Sequence, residues 1–597
     1  MDARVRAQAA QPPTWRLDDL YEGREDPRIE ADMAAAAAHI AELAALQDAL
    51  AEARNEPLHL GRLIDRGARR AEAASEALSA VNAFANLCAA TDRDDQAWSR
   101  FEADVMTRTA RIWEGGLAFA VALNALDDAE TNAALDAHPP ARRWRPWLRR
   151  LRAMRPHELD VELERMLLDR APALAGWARL YDDTLARLTA RAGAERLGLA
   201  EALEGLSDPD PARRKSVAQG LSRALEARST PLALSLNTLA LEKRTEDRWR
   251  RLNAPAAARH LANEIDAEAV AALEAAVVAS YPRLSHRYYA LKAKALDRRR
   301  LRHWDRGAPL SSARPRIHGW RMATATVVEG FETLSPRLAD IAKRIVEAPF
   351  VDAAPRPGKQ AGAFCHPGAG RHPYVFLNFR GERRDVLTLA HEVGHAVHQT
   401  LASPQGPLLA DIPLTLAETA AMVAESLASE RLEAASPRRE RRALLATRIE
   451  EALATVTRQI AFHRFETRFH EARAGGELSA AQIGVIWLEA MGESLGPAVR
   501  LDGGYETYWA LVGHFAHAPF YAYAYAFGAL LAEAMLERRR ADPEGFAPLY
   551  EDFLAAGGTR TYVEALAPFG LDARDPALWS AGCARLERLV DEFETLA

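Results

Sequence analysis

The stretch Leu389-Ala-His-Glu-Val-Gly-His-Ala-Val-His398 decides how this chain of 597 residues is read. It lies in an apolar-periodic run from Asp385 to Leu401, the expected span of a helix (385–401). Val386, Leu389, Ala390, Val393 and Val397 recur there at helical spacing as a buried stripe. His391 and His395 then project from one face a turn apart, beside the stripe rather than within it. Two imidazoles so placed can converge on one metal ion, and Glu392 between them points toward the same spot. Asp385 is the expected start of the helix.

Two neutral nitrogen ligands, an open coordination position and a carboxylate that can take a proton from water are what a zinc peptidase requires. A third protein ligand has to come from elsewhere. One class of zinc peptidases carries it ten residues after the first histidine, but that position is Leu401 here, which excludes the class. His398 lies a turn further along the same face, too far to share an ion gripped by His391 and His395. It reads as a supporting or packing histidine. The remaining candidates are Asp411, Glu418 and Glu425.

Thr415 to Glu425 reads as part of a second helix (414–435) beginning just after Pro413. Thr415 and Glu418 have capping-box spacing, so Glu418 has a competing role at a helix end. Against that, Glu418 and Glu425 stand seven apart on one face of an Ala-rich segment, which suits a ligand and a partner that orients a histidine. The expected set is therefore one zinc per chain on His391, His395 and Glu418, with Glu425 and His398 outside them.

Composition sets the background. Nearly half the residues are hydrophobic (49%) and only 7% are aromatic, with Ala, Leu, Arg and Glu abundant, so helices are favoured over sheets. A chain this long exceeds one ordinary domain. The net charge of −6 gives no pull toward nucleic acid or an anionic membrane, and Arg298-Arg299-Arg300-Leu-Arg302 reads as a solvated helix end. Cys88, Cys365 and Cys583 are odd in number and far apart, which argues for a reducing compartment. With no secretory signal and no long apolar run, the expectation is a soluble cytoplasmic protein. Cys365 lies in a glycine-rich loop and reads either as a thiol that modulates the site or, more simply, as a passive loop residue.

Residues 28–205 read as successive amphipathic helices, with breaks at Pro139-Pro140 and Arg155-Pro156. Further helices follow the turn Leu206–Pro211. The expected division is thus an N-terminal helical region, 1–205, and a catalytic region, 206–597. Pro and Gly crowd residues 354–373, and Tyr374–Phe379 then has strand character. A strand leading into the metal helix offers an edge on which an extended peptide can pair, or is simply a small hairpin.

Near the carboxyl end stands His514-Phe-Ala-His517-Ala-Pro-Phe-Tyr521-Ala-Tyr523-Ala-Tyr525, within an expected substrate loop over 503–528. Three tyrosines and two histidines in twelve residues are unusual in a chain poor in aromatics. A phenol or imidazolium there can share the oxyanion charge that amide hydrolysis creates, where the plain alternative is a packing stripe. Gly503-Gly504 would let the loop flex.

Together these stretches resemble the oligoendopeptidase F family, of the thimet-oligopeptidase-like zinc peptidases. The resemblance is carried by Trp15–Tyr21, Gly358–Phe364, His372–Phe379, Leu389–His398, Leu416–Thr419 and Pro519–Tyr525, and spans most of the chain. It implies a mainly α, two-lobed body with a deep substrate channel and a small β element next to the zinc helix. It implies His391, His395 and Glu418 as zinc ligands and Glu392 as general base. It also implies that His514 and tyrosines of the Tyr521–Tyr525 run, Tyr525 and Tyr521 foremost, assist the oxyanion. Cys365 stands where relatives often carry serine. The expected activity is internal cleavage of short unstructured peptides. Alternatives are a zinc exopeptidase of the same metal class and a helical binding protein with a vestigial metal site; the intact Glu392 opposes the latter. Sequence leaves the oligomeric state open.

Overall fold

Helices carry most of the chain, as its Ala- and Leu-rich composition requires. The structure, a computed structural model, describes residues 11–310, 316–368, 372–437 and 441–596. Gly370, one of the residues crowding the 354–373 loop, lies outside them.

The chain divides into two compact units, each assembled from three stretches. The first comprises Met1–Pro156, Pro315–Ala435 and Leu536–Gly570, and the second His157–Arg314, Ser436–Met535 and Leu571–Ala597. Residue 205 falls inside the second unit, so the spatial division runs along different lines from a cut between 205 and 206.

In the first unit the long helix Pro57–Thr91 begins with proline at its first position, where no amide is needed, and buries an Ala-rich face. Its core includes Ile40, Leu43, Ile64, Phe119 and Trp144. A second core joins Trp15, Tyr21 and Phe84 to Tyr374 and Phe376. The Trp15 ring meets Tyr374 edge-on at 6.1 Å, and the Tyr374 hydroxyl donates to Asp19 at 2.6 Å. The backbone amide of Ala353 donates to the Pro13 carbonyl and that of Arg16 to Pro349, so the amino-terminal stretch is stitched to the region before the metal helix.

That region is a three-stranded sheet. Tyr374–Phe376 is its central strand, parallel to Val351–Asp352 and antiparallel to Phe364–His366. The strand is shorter than the expected Tyr374–Phe379, and of the two readings the structure has the hairpin, with Phe364–His366, rather than a free edge. Both its sides are paired, because the stretch just before the Pro- and Gly-rich segment and a stretch within that segment fold back onto it. Phe364–His366 and Val351–Asp352 form the outer strands.

The metal helix runs Arg383–Ala402, two residues earlier than Asp385. Asp385 still closes its start: one carboxylate oxygen accepts from the amides of Arg380 at 2.7 Å and Glu382 at 3.1 Å. Val386, Leu389, Ala390, Val393 and Val397 are all buried, as the periodicity requires. The next helix, Leu414–Ala434, packs against it. A Cβ on Gly394 would lie 2.8 Å from the Ala421 Cα, so only glycine permits this approach.

In the second unit an antiparallel hairpin, Thr189–Ala192 with Glu195–Gly198, interrupts the run expected to be helical. Gly193 turns it at φ 63°, and Gly220 of helix Pro211–Glu226 lies against the Arg191 carbonyl, leaving no room for a side chain. Gly503 and Gly504 have φ of 74° and 98°. A Cβ on Gly504 would sit 2.3 Å from that of Ser222, so this pair makes a tight, packed turn rather than a hinge. Arg298, Arg299 and Arg300 are exposed beyond helix Arg287–Ala295. Cys88, Cys365 and Cys583 are free, and no helix among the described residues is long and apolar enough to cross a membrane.

Candidate metal centre

The metal helix and helix Leu414–Ala434 bring donor atoms of His391, His395 and Glu418 within 4.8 Å of one another. Nε2 of His391 lies 3.5 Å from Oε2 of Glu418, and the two imidazoles stand nearly perpendicular with centroids 4.9 Å apart. Glu418 is buried, and its helix begins without a side-chain cap, so the capping role does not apply. Glu425, two turns further on, sets Oε2 3.3 Å from Nδ1 of His391. An Nδ1–H donated there leaves Nε2 as the free lone pair toward Glu418. Asp411 is exposed and outside the cluster. His398 is buried against Phe553, centroids 5.8 Å apart, and burial holds it neutral with its pKa down to about 3. It packs; it does not join the donors.

The residues fit a divalent cation. Two imidazole nitrogens and one carboxylate are a donor set of catalytic zinc sites, which keep a further position open. Without a cation the electrostatics are unrelieved. Burial pushes the Glu392 carboxyl up to about 7, and its Oε2 is buried with no hydrogen-bond partner among the described residues. Burial also raises Glu418 and holds His395 well below the usual histidine range. Burial alone would lower His391 too, but the Glu425 hydrogen bond and the surrounding carboxylates prevail and lift it to about 9. A dication at the three donors would offset this crowding.

Cys365 sits in the outer strand Phe364–His366, where its thiol donates to Oε1 of Gln399 on the metal helix at 3.2 Å. Burial pushes the thiol well above its usual range, the behaviour of a passive packing residue.

Within the second unit, His514, Tyr521 and Tyr525 form one ring cluster. The His514 and Tyr521 rings stack at 5.3 Å, and the Tyr525 hydroxyl is 3.3 Å from Nε2 of His514. Burial, and then the nearby His517, lower the His514 pKa and so favour the neutral imidazole. The alternating tyrosines sort by position: Tyr521 and Tyr525 are partly exposed, whereas Tyr523 is fully buried, its hydroxyl held by Asn263 at 2.8 Å and His260 at 3.1 Å. His517 pairs with Asp182 at 2.8 Å. Sequence reading passed over Gly394. Its signal was present, a glycine between the two histidines, and in the structure it faces Ala420, Ala421 and Ala424 of the next helix.

Two histidines and a glutamate from adjacent helices, with a buried glutamate between the histidines, form a donor set that could hold a divalent cation. The chain belongs to peptidase family M3, whose model matches residues 206–585, and a model described as oligopeptidase F matches 123–189. Oligopeptidase PepF of Bacillus subtilis is 28% identical over 316 residues, covering 52% of this chain and 47% of that one. This chain thus spans about half the length of the curated relatives it first matches. A solved peptidase structure from Chlamydophila abortus superposes with a TM-score of 0.78 at 21% identity, covering 98% of each chain. Oligoendopeptidase F of Enterococcus faecium gives 0.71 at 18% identity, covering 94% of this chain and 98% of that one. Both likenesses concern the fold, which is mainly α as the sequence predicts.

Proposed function

We propose that this chain is a zinc-dependent endopeptidase that hydrolyses internal bonds of short, unstructured peptides in the cytoplasm. The observation that carries the reading is Glu392, buried between two donor histidines with one carboxylate oxygen unpartnered. A structural metal site has no need of such a base. One zinc ion per chain, held by His391, His395 and Glu418, would supply a Lewis acid that polarises the scissile carbonyl and acidifies water.

The side chains have separate tasks. Glu392 takes the proton of the attacking water and passes it to the departing amine. Glu425 fixes the His391 ring so that Nε2 serves as the donor. Tyr525, with Tyr521 second, donates a hydrogen bond to the carbonyl oxygen as it gains negative charge, and His514 orients both phenols. The relatives named oligoendopeptidase support internal cleavage over removal of terminal residues.

The test is digestion of a mixed peptide library and one folded protein, with cleavage positions mapped by mass spectrometry, before and after chelation. Internal cuts in peptides, lost on chelation and restored by zinc, are expected. Cleavage confined to chain ends, or undiminished by chelation, would overturn the reading.

A further inference from the structure

Helix Thr457–Arg473 carries His463, Glu466 and His470 at steps of three and four residues, on one buried face. The pattern resembles a ligand set, yet its members do not cluster as metal donors among the described residues. Phe520 occupies the face instead. Its buried ring lies 5.8 Å from His463 and 5.1 Å from His470, and its backbone amide donates to Oε1 of Glu466 at 2.8 Å. Phe520 has φ 60°, the left-handed region that a β-carbon disfavours. A residue held there persists only where its surroundings over-determine it.

The surroundings do so on both sides. Nε of Arg259 donates to the Pro519 carbonyl at 3.2 Å, and the same guanidinium lies 5.8 Å from the Tyr521 ring centroid. Asn263 and His260 hold the Tyr523 hydroxyl. The chain is therefore gripped at Pro519, Phe520, Tyr521 and Tyr523, immediately ahead of Tyr525. At Phe520 the ring is packed against His463 and His470, and the backbone amide is held by one carboxylate oxygen of Glu466.

We infer that Glu466 is a positioning residue: by holding the Phe520 amide in its left-handed turn, it aims Tyr521 and Tyr525 without touching the substrate. The inference rests on the reading of Tyr525 as the donor to the developing oxyanion. A backbone rotation at Phe520 swings the phenols that follow, and misplacement by about 1 Å is enough to impair a catalytic group. Burial pushes the Glu466 carboxyl up to about 8, against the Phe520 amide and the Arg259 and Lys243 charges. An uncharged side chain with a carbonyl acceptor is therefore a faithful replacement, which makes glutamine the conservative variant.

The experiment compares zinc-loaded wild type, Glu466→Gln and Glu466→Leu by peptide kinetics and by amide hydrogen exchange across residues 514–525. Glu466→Leu should lower kcat by about tenfold or more with KM within about threefold, because the loss falls on the transition state. It should also speed exchange in that segment at unchanged zinc content, while Glu466→Gln stays near wild type in both measurements. Adding Tyr525→Phe to Glu466→Leu should cost much less than it costs wild type, since the phenol is already misplaced. Unchanged exchange and kcat in Glu466→Leu, or equal losses in Gln and Leu, would overturn the inference. If the leucine variant does not fold, the wild-type Phe520 amide decides by itself: exchange as fast as that of an exposed amide rules the clasp out. A wild type that cuts no peptide while the exchange results hold would overturn the endopeptidase reading and leave the clasp standing.

Discussion

Nδ1 of His391 lies 3.3 Å from Oε2 of Glu425, while Nε2 of the same ring faces Glu418 at 3.5 Å. One imidazole is thus shared between two carboxylates with distinct tasks. On the proposed assignment, Glu418→Ala removes a ligand and should abolish stoichiometric zinc. Glu425→Ala removes only the partner that orients the ring, and should weaken affinity by about 10–100-fold. Zinc titration of both variants checks this; stoichiometric zinc in Glu418→Ala with loss in Glu425→Ala would reverse the assignment.

Glu392→Gln should keep zinc and fold and lose several orders of magnitude in turnover. The amide is nearly isosteric but cannot accept the water's proton. Activity within about tenfold of wild type, a barrier change of only ~1.4 kcal/mol, would place the base elsewhere.

Gly394→Ala should loosen the centre without altering a ligand. The added methyl meets Ala421 Cα at 2.8 Å and Ala424 Cβ at 2.9 Å, where neither helix can yield without moving the donors it carries. Overpacking of this kind costs about 1–3 kcal/mol. Tm and zinc affinity should fall together. A variant equal to wild type in both would mean that the two helices separate freely.

Tyr525→Phe should lower kcat by roughly 10²–10³ with little change in KM, the signature of a lost oxyanion donor. Tyr521→Phe should have the smaller effect. Steady-state constants for both variants decide, and unchanged kcat in both reduces the cluster to packing.

Acid should unfold the metal-free protein early. Burial depresses His260, His303, His366 and His463 to about 4, and His398 and His470 to about 3. Between pH 6.5 and 4 the unfolded chain binds protons at these six sites that the folded chain does not, so stability falls as pH falls. Glu72, Asp247, Glu392, Glu418 and Glu466, raised by burial, and His391, raised by its hydrogen bond to Glu425 and the carboxylates around it, work in the opposite sense and offset part of the loss. With chelator present throughout, the urea midpoint should drop between pH 7 and pH 5 by an amount worth several kcal/mol. Equal midpoints would mean that these histidines titrate normally.

Local patterns were legible in the sequence to the extent that they had a period. The metal helix announced itself through its apolar stripe, and Glu418 through its spacing from Glu425. What was missed depends on long-range pairing. The central strand Tyr374–Phe376 looked like an edge because its partners Val351–Asp352 and Phe364–His366 are too short to carry alternation. The hairpin at Thr189–Gly198 was hidden by alanines and arginines that suit a helix equally well. Trp15–Tyr21 carried only a family resemblance, since nothing local shows that Trp15 closes a core around Tyr374 and Phe376. The Glu466 hold on Phe520 joins residues 54 positions apart and has no sequence signature.

The interleaving of the two units bears on how the protein is made. The first unit lacks its last piece until residues 536–570 have been synthesised, and the second lacks residues 571–597 even then. His391, His395 and Glu418 therefore leave the ribosome well before the scaffold that holds them is complete. Each unit must wait for stretches of the other to be translated before its own last piece appears, and each must close a loop more than a hundred residues long. A nascent chain halted after residue 435 would carry His391, His395 and Glu418 and still lack part of the unit that positions them.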